Sequence, residues 1–146
     1  MKSVEGAVGR VFILRLEDDD VIPDCIESFA RGHDISAAQV LFIGGLGRGE
    51  VVTGPRDSTT MPPDPILIPV EGAHETIGVG LLVPDENGMP RLHVHGALGR
   101  AGNTLTGCLR NGVFTWFMIE VVILEICAEV RRCRDALSGL SLLTFD

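Results

Sequence analysis

Apolar residues recur along most of the chain in the short runs and two-residue alternation that are typical of β-strands. One stretch differs, because Ile22, Ile26, Phe29 and Ala30 share one face of a 3.6-residue period. The spacing predicts one amphipathic helix there, with Asp20 as its N-cap. Strands are predicted at residues 10–16, 37–45, 50–53, 66–70, 75–83, 91–98, 104–110 and 113–126.

Short turn sequences join the later strands at residues 85–88, 102–103 and 111–112, and such connections make consecutive strands antiparallel neighbours. The segment 54–65 carries four of the eight prolines and has no periodicity, which predicts a surface loop. The predicted fold class is α/β of the α+β type, with a single antiparallel-rich sheet flanked by one or two helices. We expect a single domain over residues 1–146.

Two histidines interrupt the strand predicted at residues 91–98. Successive side chains of a strand point to opposite faces, so His93 and His95 share one face. Leu92, Val94 and Leu98 then occupy the other face. The alternation therefore predicts a polar face that presents two imidazoles side by side.

Cys108 joins this polar face from the next strand, where alternate leucines take the apolar side. A turn at residues 102–103 sets Cys108 opposite Ala97, whereas a turn at residues 101–102 sets it opposite His95. Opposed Cβ atoms lie about 5 Å apart and diagonal ones about 7 Å, while zinc bonds to nitrogen and sulfur measure about 2.0–2.3 Å. In either register His93, His95 and Cys108 could reach one ion, with a coordination position left open.

Ordinary roles stay open for these side chains, since strand histidines and buried cysteines are common without a metal. His33 ends the predicted helix, where a cation suits the dipole, and His74 opens a strand. Glu120 interrupts the last apolar run, as a general base would. Alternation counted from the turn at residues 111–112 turns Glu120 away from Cys108, unless a bulge reverses its face.

The charge balance disfavours DNA as a ligand of this domain, because 12 basic and 20 acidic residues give a net charge of −8. The basic cluster Arg131, Arg132 and Arg134 lies in what we expect to be a solvated C-terminal tail. No apolar run is long enough to span a membrane, so we expect a cytoplasmic protein. The four cysteines lack CxxC spacing and are expected to be reduced thiols.

Four segments, GRVFILRL, HDISAAQVLFIGGLG, LHVHGALGRAGNTLTGCL and IEVVILEI, together resemble the plant-and-prokaryote conserved (PPC) domain. The resemblance covers a core of residues 9–126 and leaves residues 127–146 as a tail. It implies a homotrimer, with a bound metal in some prokaryotic members and an association with DNA-binding motifs in plants. Where the family pattern has histidine this chain has Cys108, which favours a soft ion such as zinc, one per subunit.

Both faces of the last long strand are apolar, which favours the same assembly: Phe117, Ile119, Val121 and Ile123 alternate with Met118, Val122 and Leu124. One face can pack on the helix, and the other needs a second cover, most economically a neighbouring subunit. The function we predict is a non-catalytic, metal-binding homotrimeric module with a regulatory or partner-binding role, and the family resemblance leaves an association with DNA open. The alternative is a small zinc enzyme with an open coordination position, with Glu120, Glu75 or His74 as the base and residues 54–65 as a flap.

Overall fold

A computed structural model describes residues 1–110 and 112–145 of the chain. Seven strands form one antiparallel sheet in the order β1-β7-β3-β4-β5-β6, with β2 paired to β7, and β8 and β9 form a separate hairpin. The elements are β1 (Ala7–Glu17), β2 (Val21–Ile22), α1 (Asp24–Gly32), β3 (Ala38–Pro55), β4 (Pro65–Pro84), β5 (Pro90–Arg100), β6 (Asn103–Cys108), β7 (Val113–Cys127), β8 (Arg131–Arg134) and β9 (Ser141–Thr144). The predicted α+β class is confirmed.

Two pairs of predicted strands are each one long strand in the structure. β3 replaces the strands predicted at residues 37–45 and 50–53, and β4 replaces those at 66–70 and 75–83. The ladder between β3 and β4 continues through a register shift between Leu46 and Arg48. Gly44 and Gly49 have φ of 143° and 128°, which other residues rarely adopt. The glycines therefore bend β3 without ending it.

The sheet curls until β6 meets the second half of β3, where Val52 pairs with Cys108. Gly107 permits this approach, because a Cβ at that position would overlap the carbonyl oxygen of Val52. The predicted hairpin between β6 and β7 is wrong: β7 pairs instead with β3 on one side and with β1 and β2 on the other. Of the turn predicted at residues 111–112, Asn111 lies outside the described residues.

Helix α1 covers one face of the sheet and completes the hydrophobic core. Ile26 and Ala30 of the helix are fully buried, and so are Ile119, Val121 and Ile123 of β7. We call this side of the sheet the covered face. Both sequence-predicted apolar patterns, that of the helix and that of the sheet, meet here.

Hydrogen bonds made by two charged side chains connect α1 to the sheet. Glu27 is buried and accepts a hydrogen bond from the backbone N–H of Leu92 at 2.9 Å. At the other end of the helix, Arg10 donates to the carbonyl oxygen of His33 at 3.0 Å and to Glu125 at 2.7 Å. Both contacts hold α1 in place over the core.

Asp20 does not cap the helix, which corrects the prediction. The N-cap position is Pro23, and it makes no side-chain capping hydrogen bond. The Asp20 carboxylate instead accepts from the backbone N–H of Glu17 at 2.8 Å, in the turn after β1. The short strand β2 separates this turn from the helix, so Asp20 lies too early in the chain to cap it.

The opposite side of the sheet is apolar and uncovered. Val11, Ile13, Ile43, Ile77 and Val79 are between 55% and 81% exposed there. They occupy neighbouring strands, since Ile43 pairs with Ile77 in the β3–β4 ladder. We call this side the open face.

The segment predicted to be a solvated tail contains the β8–β9 hairpin. β8 and β9 pair from Arg131 with Thr144 to Arg134 with Ser141. Arg132 is only 9% exposed, whereas Arg131 and Arg134 are exposed, so the three arginines do not form one basic surface. Among the described residues, no helix has the length and apolar character that a transmembrane span requires.

Candidate metal centre

The β5–β6 hairpin sets the register of the candidate ligands. Arg100 pairs with Asn103, so the connecting turn consists of Ala101 and Gly102. Both have positive φ, 50° and 82°, as a two-residue type I′ turn requires. Of the two predicted registers, this is the one that sets Cys108 directly opposite His95.

His93, His95 and Cys108 meet at one point of the sheet. Their candidate ligand atoms all lie within 4.8 Å of one another, and the two imidazole Nε2 atoms are 3.2 Å apart. Cys108 is 3% exposed, whereas both histidines are exposed at the open face. The backbone N–H of Leu109 donates to the carbonyl oxygen of Val94 at 3.0 Å, which extends the β5–β6 pairing past the cysteine.

These donors suit a soft divalent ion. Donor atoms at about 2.0–2.3 Å from a tetrahedral zinc lie about 3.3–3.8 Å from each other. The two Nε2 atoms are 3.2 Å apart and all three candidate atoms lie within 4.8 Å, so small side-chain movements would complete this geometry. Two imidazoles and a thiolate are ligands that zinc accepts, whereas magnesium and calcium prefer oxygen. The residues therefore fit zinc with three protein ligands.

The surroundings keep His93 in the form that a metal needs. Burial lowers the pKa of His93, and the charges of Arg132, His95 and Arg110 lower it further. A lowered pKa leaves the imidazole neutral at pH 7, with a free lone pair for a metal. Arg132 and Arg110 therefore lie close enough to act on this ligand.

The remaining histidines have separate structural roles. The Nδ1 atom of His33 lies 2.9 Å from the carbonyl oxygen of Phe29, and its ring stacks on the Phe29 ring at 3.9 Å between centroids. The Nδ1 atom of His74 lies 2.8 Å from the carbonyl oxygen of Gly72. Among the described residues, neither histidine belongs to the His93, His95 and Cys108 cluster.

The other cysteines also lie apart from the cluster, and all four are free thiols, as expected. Burial raises the pKa of Cys25 to about 11, so its thiol stays protonated at neutral pH. Cys127 is exposed and Cys133 is half-buried. Cys108 is thus the thiol that the fold brings to the histidines.

Glu120 lies on the same face as the cluster, and simple alternation from the 111–112 turn was wrong. That count assumed a β6–β7 hairpin, whereas β7 pairs with β3 and sets Glu120 opposite Ile43. The row continues through Ile77 to Ala97 on β5. Three strand spacings of about 4.8 Å separate Glu120 from β5, or roughly 14 Å. Glu120 is too far from the cluster to act as a base on a bound water.

Arg132 is the residue that sequence reasoning missed. Its position in an apparently solvated basic run hid its burial, and no periodicity in the final twenty residues indicated the β8–β9 hairpin. Pro62 of the 54–65 loop, the predicted flap, lies beside Gly139 in the turn of that hairpin.

Comparison with known proteins identifies the family. Residues 3–127 match the profile of the Plants and Prokaryotes Conserved (PCC) domain, the PPC domain of the sequence resemblance, and the chain belongs to this family. No curated protein matches the chain.

Solved structures agree with this assignment. A metal-containing protein from Archaeoglobus fulgidus is 27% identical, with a TM-score of 0.85 over 99% of each chain. A plant- and prokaryote-conserved protein from Pyrococcus horikoshii is 22% identical, with a TM-score of 0.85 over 99% of this chain and 97% of its own. The fold is thus that of the PPC domain.

Proposed function

We propose that this PPC domain is a non-catalytic, metal-binding homotrimeric module that binds regulatory protein partners. His93, His95 and Cys108 hold one zinc ion, or another soft divalent ion, in each subunit. The observation that carries the proposal is the convergence of three ligand atoms within 4.8 Å from two paired strands. The similar protein from Archaeoglobus fulgidus is described as containing metal, which supports this assignment.

The open face supports assembly with further copies of this chain. Five β-branched residues there are at least 55% exposed, and a sheet face in water would ordinarily carry polar residues instead. Contiguous apolar surface of this kind marks an interface. A symmetric arrangement of identical chains covers it without a second gene product.

The position of Glu120 favours a binding role for the metal over a hydrolytic one. A metal-bound water needs a base within hydrogen-bond reach, and Glu120 is roughly three strand spacings away. DNA is a poor ligand for the same domain, because its net charge is −8 and Arg132 is buried. Partners with a complementary protein surface fit these properties better.

Elemental analysis of the chain purified without chelator tests the metal site. We expect close to one zinc per chain. Cys108→Ser should lower zinc affinity by about 100-fold or more, while Cys108→His, which restores the family pattern, should retain the ion. Affinity should also fall as pH decreases, because protons compete for the thiolate and imidazoles.

The matched controls are Cys25→Ser, Cys127→Ser and Cys133→Ser, which should leave the zinc content unchanged. Equal zinc in all four serine variants would contradict the assignment of Cys108. A native chain that holds no metal and binds no added zinc would refute the proposed function.

A further inference from the structure

We propose that Arg132 and Arg110 form an oxyanion site beside the metal ligands, so that a small carboxylic or phosphoric acid bridges these arginines and the bound ion. The inference rests on the proposed function, because it uses the coordination position that three protein ligands leave open. It adds the class of ligand that this position takes.

A cleft of about 660 Å³ brings the groups together, and its lining includes His93, Arg110 and Arg132. A cleft of this size suits a small molecule. The β8–β9 hairpin forms one wall through residues 139–143. The metal ligand His93 thus faces the same space as the two arginines.

Arg132 has hydrogen-bonding capacity that nothing in the described residues uses. The side chain is 9% exposed, and its Nη2 donates to the carbonyl oxygen of Leu81 at a long 3.4 Å. Its Nε–H is buried without a partner. A buried guanidinium donor that lacks an acceptor is costly, and such groups are ordinarily satisfied by a ligand or solvent.

Two of the three carboxylates that line the cleft are paired with another arginine. Arg91 pairs with Glu27 at 3.2 Å and with Asp85 at 3.1 Å, and Asp24 is an exposed residue at the start of α1. No described carboxylate lies within 4.0 Å of Arg132 or Arg110. Two arginines and a divalent ion that is held by one thiolate give the site a net positive charge, which attracts an oxyanion. The planar guanidinium groups can also donate paired hydrogen bonds to the oxygens of a carboxylate or phosphate.

The test uses the full chain loaded with cobalt(II), with the metal content measured first. Malonate and inorganic phosphate are titrated separately, and both the binding heat and the visible cobalt spectrum are recorded. We expect saturable binding and a spectral change for at least one of them, and the two arms distinguish a carboxylate from a phosphate ligand. Arg132→Gln should weaken binding about tenfold or more without lowering the cobalt content.

Arg131→Gln is the matched control, since it removes the same charge from the adjacent position of β8, and it should change affinity by less than about twofold. Arg132→Lys should bind the anion more tightly than Arg132→Gln but less tightly than the native chain, because lysine keeps the positive charge and loses the planar guanidinium that donates two parallel hydrogen bonds. If Arg132→Gln does not fold, Arg110→Gln, on an exposed residue, decides the question by the same tenfold criterion.

Equal affinities for native protein and folded arginine variants would overturn the inference, as would the absence of saturable binding with full cobalt loading. Either result would leave the proposed metal site intact. A chain that holds no cobalt and no zinc would refute both proposals.

Discussion

Both faces of the main sheet are rich in apolar residues, but only one of them is buried within the described chain. On the covered face, Ile119 is fully buried in the hydrophobic core. On the open face, Ile77 is 61% exposed and nothing in the described chain packs on it. The same residue type therefore builds the core on one side and forms an uncovered apolar surface on the other, and the candidate metal ligands lie on the uncovered side.

A charge on the covered face should have the largest effect. Ile119→Asp places a carboxylate at a fully buried position without a partner, at a cost of about 4 kcal/mol or more, which is a large part of the stability of a domain of this size. We expect loss of cooperative thermal unfolding and of the native circular dichroism spectrum. A variant that melts like the native chain would contradict the assignment of this face to the core.

The same charge on the open face should dissociate the assembly and leave the subunit folded. Ile77→Asp keeps its side chain in water within the monomer, but would bury an unpaired charge in the trimer. Light scattering should change from the mass of three 15.6 kDa chains to that of one. A native chain that is monomeric, or an Ile77→Asp trimer, would refute the assembly.

Removal of the contact between α1 and β5 should have an intermediate effect. Glu27→Ala leaves the backbone N–H of Leu92 without its buried acceptor, which should lower the free energy of unfolding by about 1–3 kcal/mol. Chemical denaturation measures this loss. Ser28→Ala, on the exposed neighbour in the same helix, should stay within about 0.5 kcal/mol of the native chain.

The contact at the other end of α1 should have the smallest effect and a defined pH dependence. Hydrogen bonds from Arg10 lower the pKa of Glu125 from 4.5 to about 2, so the folded state favours the ionised carboxylate. The stability it contributes is present above pH 4.5 and is lost as pH falls toward 2. Denaturation of Glu125→Gln should show a shallower loss of stability over this range.

Glu120→Gln provides the control for this pH dependence, because it removes a carboxylate from the same strand without touching Arg10. Its stability should fall with acid as steeply as that of the native chain. Parallel curves for the native chain and Glu125→Gln would show that the ion pair has no part in acid sensitivity.

Alternation predicted which side chains converge at the candidate metal centre, but not all of its surroundings. His93, His95 and Cys108 were predictable because hairpin neighbours obey a local rule, and only the turn residue pair was left undecided. Glu120 was assigned to the wrong face because its strand partners are set by long-range pairing. Arg132 was missed because a four-residue strand with three arginines has no apolar period to detect.

The place of β7 in the sheet has a consequence for how the chain is made. β7 is the last strand of the main sheet to be synthesised, yet it lies between β1 and β3. β1 therefore cannot pair until a strand more than 100 residues further along the chain has been synthesised. Arg10 of β1 and Glu125 of β7, which are hydrogen-bonded, are 115 residues apart in sequence. Such non-local pairing slows folding and prolongs exposure of apolar strands. We therefore expect a nascent chain stalled before residue 113 to depend on chaperones until its central strand arrives.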